Sequence, residues 1–272
     1  MSEQTDRVAL MRALFPGIAK NVDAAYSQFA GEREDVKLDH WLDRQAARVL
    51  PGAATLVVDD AAIAARFDTA FAKARAAAAL LGLDVPEIES FEAAGVDLEG
   101  LADAIVEDPT LVPVVAPHGL GEQRWVNAYA RLGKPSLLIS DEASKEFELL
   151  DSVQQPAPPT IRLVDTANES TRQTVTWTLR LIPAAAAPPL LGLSFANGPH
   201  VGLSEMLMLQ LMRAVAGEPP LDATTFTWLA GVLAAGRLAA RHVYDASEDT
   251  IRITCREVVS QGPHLGARPP IG

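Results

Sequence analysis

His118 sits in Pro117-His118-Gly119-Leu120-Gly121, between the apolar run Leu111–Ala116 and the residues Trp125, Val126, Tyr129 and Leu132 at helical spacing. A histidine there is suited to proton transfer near neutral pH. The glycines allow a tight turn, and a helix opening after them offers free backbone N–H groups to an anion. Strand, glycine turn and helix is also the unit that holds ligands beyond the carboxyl ends of parallel strands. The candidate ligand-binding residues are therefore His118, Gly119 and Gly121, with Asp141 at the start of the next helix. The competing expectation is a closed turn whose histidine packs locally.

Pro-His recurs at Pro199-His200 and Pro263-His264. Three histidines after turns would suit a metal only if the fold brought them together, and no metal site is expected. Cys255 is the single cysteine, so no intramolecular disulfide forms. It shares a strand face with Ile251 and Ile253 and reads as core filler, since a reactive thiolate needs an electropositive, accessible setting. The signature motifs of P-loops, dinucleotide-binding turns, zinc hydrolases and serine hydrolases are missing. No cofactor is expected.

Charge carries the most specific signal. The chain has 272 residues and a net charge of −12. Residues 1–150 hold 25 acids against 14 bases, whereas residues 151–272 hold 10 against 9. From Ala76 to Gln123 there is no lysine or arginine, yet the span includes Glu87, Glu89, Glu92, Asp97 and Glu99. These five are the candidate partner-binding residues. Such a surface attracts a basic protein and repels a phosphate backbone, so nucleic acid is disfavoured. The carboxylates lack the spacing of a calcium loop.

These side chains must be positioned by a mixed α/β fold. Amphipathic helices fill residues 1–52, a first region. Residues 53–153 alternate strand and helix: strands near 55–58, 86–91, 111–116 and 136–139, with a long alanine-rich helix ending at Leu81-Gly82. That alternation predicts a small, largely parallel sheet covered by helices. Pro113 cannot donate to a ladder, so its strand should lie at an edge or pair only after the proline. Gln154–Pro159 reads as a linker. Residues 160–272 then read as an α+β region: antiparallel strands at 161–164, 175–182 and 190–195, helices at 203–215 and 224–233, and a hairpin of 238–244 with 250–259. The helix at 203–215, rich in methionine and leucine, is apolar nearly all round and should be buried. Either the linker separates two units, or the last two regions form one continuous domain.

The N-terminus lacks a secretory h-region and no stretch is apolar enough to span a membrane. With one cysteine, this predicts a soluble cytoplasmic protein. Scarce lysine beside abundant alanine and arginine suits a GC-rich bacterial genome. The expected function is a non-catalytic binding or scaffold component that docks a basic partner through its acidic surface. The alternative is an enzyme or small-ligand binder at the Pro117–Gly121 turn.

Overall fold

Eight buried side chains of the alanine-rich stretch recur at helical spacing, from Ile63 and Phe67 to Ala78 and Leu81, and this stripe forms helix α1 (Ala61–Leu81). Its alanines let neighbouring elements approach closely. Gly82, at φ +67°, ends it with paired bonds from Gly82 N to Ala79 O and from Leu83 N to Ala78 O. The computed structural model describes residues 61–154, 157–165 and 173–272, all within a compact unit that runs from Val58 to Gly272. The helices read in residues 1–52 and the strand near 55–58 lie outside the described residues.

Two short helices follow, α2 (Ile88–Ala93) and α3 (Leu98–Glu107). The strand expected at 86–91 is thus a helical turn, with Phe91 as its buried anchor. Strand β1 (Leu111–His118) leads through the glycine turn into α4 (Glu122–Leu132), then β2 (Ser136–Ile139), α5 (Asp141–Lys145) and α6 (Phe147–Leu150). After the proline-rich stretch come β3 (Thr160–Asp165), β4 (Gln173–Pro183) and the two-residue β5 (Leu190–Leu191). The longer strand read at 190–195 stops there, because a 3-10 turn takes over at Phe195–Asn197. Helix α7 (Leu203–Val215) precedes β6 (Phe226–Leu233), β7 (Leu238–Asp245), β8 (Thr250–Glu257) and β9 (Leu265–Ala267).

The helix expected at 224–233 is strand β6. Its two faces are both covered: Trp228 packs into a small outer cluster with Ala239 and Leu265, and Leu229 packs into the main core. A run apolar on both faces has no readable period, and here the β-branched and aromatic residues favour the strand. Ala234 and Ala235, both at positive φ, then turn the chain into β7.

The strands form two sheets, ordered β1-β4-β3 and β2-β8-β7-β6-β9-β5. The first is wholly antiparallel, with Leu111 opposite Pro183 and His118 opposite Thr176. The parallel sheet expected around β1 is therefore corrected. Among the described residues parallel pairing is confined to β2 with β8, β6 with β9, and the Val201–Leu229 bridge. Among the described residues β1 pairs with β4 alone, so Pro113 sits in an edge strand there, where its missing N–H costs no ladder bond. Both sheets draw strands from each side of Pro156, so the linker does not separate two sheets. Helix α7 packs against α1 and β1, and every residue from Leu203 to Met212 is buried. Among the described residues no helix is long and apolar enough to cross a membrane.

Candidate functional site

The glycine turn is built as expected, but its anion position is already filled. Gly119 and Gly121 both adopt φ +80°. That left-handed backbone aims the following N–H groups inward. Asp151 receives the turn's N–H groups: Gly121 N donates to its carboxylate Oδ2 at 2.8 Å, and Gly119 N donates to its backbone carbonyl at 3.0 Å. Trp125 Nε1 and Ser204 Oγ both donate to Oδ1, at 3.3 and 2.7 Å. One buried carboxylate therefore clamps the turn, helix α4 and the start of helix α7. Burial raises the Asp151 pKa, and the donors from Ser204, Gly121 and Trp125 hold that rise in check. The acid that meets this turn is Asp151. Asp141, the candidate ligand residue at the start of the next helix, is exposed at the first turn of α5.

His118 is the last residue of β1 and is 3% exposed, which is the closed-turn outcome and not the accessible ring a ligand site would need. Its Nε2 lies 2.9 Å from Thr178 Oγ1, and the backbone of Asp151 and Ser152 runs beside the ring. Burial and the positive charge of Arg180 lower its pKa to about 4. The ring is neutral at pH 7, in a polar layer completed by Arg180 and Glu205. Arg180 Nη1 approaches Glu205 Oε1 at 3.6 Å, while Glu205 Oε2 accepts from Gly202 N at 2.8 Å and closes the start of α7.

This environment fixes a pH dependence. Below pH 6.5 the unfolded chain binds a proton that the folded ring refuses until about pH 4. Stability therefore falls as pH drops through that window, by about 2 kcal/mol at pH 5 relative to pH 7. Urea denaturation of the native protein and of His118→Gln at both pH values should show this loss in the native protein and not in the variant. An equal pH response in the two proteins would refute the assignment.

The three Pro-His histidines find different partners. His200 Nε2 bonds the Phe195 carbonyl at 2.6 Å and its ring stacks on Phe195 at 4.6 Å, whereas His264 is exposed and uses its carbonyl to accept from Phe226 N. Among the described residues no group of His, Cys, Asp and Glu is placed to hold a metal. Cys255 lies in β8 and is half-buried, and burial raises its thiol pKa.

A second polar network was not anticipated. Asp222 Oδ2 accepts from His242 Nδ1 at 2.9 Å and from Thr227 Oγ1 at 2.7 Å, and Oδ1 meets Arg268 Nη2. Arg268 also donates to the carbonyls of Pro183 and Ala185. Gln210 is held by both backbone groups of Leu221, at 3.2 Å each, which fixes its amide orientation. Its remaining N–H points at His242 Nε2, 3.0 Å away, so that nitrogen is the acceptor and His242 is the Nδ1–H tautomer. Asp222, Arg268 and His242 have no exposed surface. Burial alone would raise the Asp222 pKa, but the His242 and Arg268 interactions win and lower it. The sequence held one signal of this network: Gln210 is the polar residue inside the otherwise apolar run Met206–Met212.

The acidic residues lie mainly on α2 and α3. Glu87 and Glu89 are exposed and Glu92 is half-exposed. Glu87 pairs with Arg75, and Asp97 caps α3 by accepting from Gly100 N at 3.1 Å. Glu99 is half-exposed in the first turn of α3. The buried stripe of α3 is Leu98, Leu101, Ala102 and Ile105. Its outward stripe carries Asp103, Val106 and Glu107, all exposed, with Val106 at 64%. Comparison with protein-family models, curated proteins and solved structures gives no match to this chain.

Proposed function

We propose that this protein is a non-catalytic binding component of the bacterial cytoplasm that docks a basic partner through the acidic face of α2 and α3. The observation that carries the reading is the outward stripe of α3, where an exposed valine stands between Asp103 and Glu107. Asp103 and Glu107 stand four residues apart, one turn of α3. Like charges so placed cost a helix about 0.2–0.5 kcal/mol per pair. A cationic partner relieves that cost and covers Val106. The buried clusters support the same reading, because Asp151 already takes the anion position of the glycine turn.

The test uses the full chain and a variant carrying Glu89→Lys, Glu92→Lys, Asp103→Lys and Glu107→Lys. All four side chains point at least partly to solvent, so the fold should survive, as circular dichroism will check. A partner recovered on the native chain is purified and titrated against both proteins. It should be basic, bind the variant at least about tenfold more weakly, and lose affinity for the native chain as salt rises. Equal affinity for both proteins at low and high salt would refute the proposal.

A further inference from the structure

The outer face of the six-stranded sheet carries an arginine pair that no acid among the described residues neutralises. In the β7–β8 register Arg241 stands opposite Thr254, and Ala239 stands opposite Arg256. Opposite residues share a face and so do residues two apart, so Arg241 and Arg256 are diagonal neighbours on one side of the sheet. The Arg241 guanidinium lies 4.1 Å from the Phe226 ring centroid and donates through Nε to Thr254 Oγ1 at 3.1 Å. This stacking and bonding fix the plane of the group and leave its two terminal nitrogens for another acceptor. Arg256 is exposed. Among the described residues neither arginine meets a carboxylate. Arg124 pairs with Asp165, Arg180 with Glu205, Arg213 with Glu218, Arg252 with Asp245 and Arg268 with Asp222, while Arg66, Arg131 and Arg237 bond backbone carbonyls. In a chain with net charge −12, two adjacent guanidinium groups without an acid between them are an unmet demand for anions. The neighbouring charge of Arg256 adds to burial in lowering the Arg241 pKa.

We propose that this face binds an acidic polypeptide segment, whose carboxylates pair with Arg241 and Arg256. In an extended segment, side chains two residues apart point the same way, about 7 Å apart. Diagonal neighbours on a sheet are spaced about 7–8 Å apart, so carboxylates at alternate positions match the two arginines. The apolar side chains between such acids have the half-buried Phe226 and the exposed Val232 of β6 nearby on the sheet. The net negative charge of the chain disfavours a polyphosphate, whose charge density is high along its whole length. The site is separate from the acidic face of α2 and α3 and does not rest on the function proposed for it.

The experiment measures fluorescence anisotropy of a labelled peptide of alternating glutamate and valine against the full chain. The native protein should bind it saturably at low salt and more weakly at high salt. Arg241→Gln with Arg256→Gln should weaken binding by about tenfold or more, as expected when charge-assisted bonds are lost. Arg256→Gln alone, at an exposed position, keeps the test valid should the double variant fold poorly; it should weaken the peptide by severalfold. A lysine-rich peptide, read in parallel, should bind native protein and variants alike, which separates this site from the acidic face. Four results would overturn the proposal: no saturable binding, equal binding by the Arg256→Gln variant, tighter arginine-dependent binding of single-stranded DNA, or arginine-dependent self-association that excludes the peptide.

Discussion

Asp222→Asn is expected to lower unfolding stability by about 3–5 kcal/mol, the cost of removing one partner from a buried ion pair. Asp222 adopts φ 64°, a left-handed conformation that asparagine tolerates nearly as well as aspartate. The substitution therefore removes charge with little change in backbone preference. What remains is the Arg268 guanidinium with no exposed surface and no counter-charge. Thr227 Oγ1 and His242 Nδ1 already share Oδ2, so an amide oxygen that keeps both turns its NH2 group toward the Arg268 guanidinium, donor against donor. The native pair also predicts a pH signature. The folded pKa of Asp222 lies below the unfolded value of 3.8, so its stabilisation is complete above that value and is lost as pH falls through the folded one. The gap between native and variant proteins should be full at pH 7 and shrink in strong acid. Urea midpoints across that range measure it. A loss under 1 kcal/mol at pH 7 would show that the network is not a structural keystone.

Asp151→Ala should produce the next largest loss, about 3 kcal/mol. Gly121 N, Trp125 Nε1 and Ser204 Oγ each lose their acceptor, and a buried donor left without one costs about 1–3 kcal/mol before relaxation. Asparagine is a poor substitute, because its amide nitrogen must face a donor from one side or the other. Asp151→Asn should therefore recover only part of the loss. The pH signature runs opposite to that of Asp222. The folded pKa of Asp151 is raised, so the native protein loses stability as pH climbs from 3.8 through that raised value, and the alanine variant does not. The Trp125 indole, anchored by the same carboxylate, gives a fluorescence readout of whether the turn loosens first. Full stability in the alanine variant would mean that water serves the three donors as well as the carboxylate does.

The sequence by itself determined the elements whose signals are local. The 3.6-residue spacing of Phe67, Phe71, Ala74 and Ala78 and the glycine at 82 specify α1 and its end. Alternation from Val175 to Leu181 specifies β4, and Pro113 restricts β1 to an edge or to pairing after the proline, of which the fold uses the edge. The run Leu203–Met212, apolar but for a few polar residues, specifies a buried helix. The exposed acids of α2 and α3 follow from charge that burial cannot absorb.

Tertiary structure decided everything that depends on partners distant in the chain. β1 lies antiparallel to β4, some sixty residues on, because pairing direction is set by where the chain returns and not by the strand's own pattern. β6 is a strand since two different cores cover its two faces, and a residue-by-residue period cannot show that. The same holds for the sites. Local spacing located the glycine turn, but His118 is buried and Asp151 accepts the turn's N–H groups. Both outcomes follow from α7 and β4 folding onto the turn. Asp222, His242, Gln210 and Arg268 are scattered over some sixty residues of chain, and only folding closes their hydrogen bonds. A buried charge is stable only against specific neighbours, and in this chain those neighbours are supplied by sheet order and by the packing of α7.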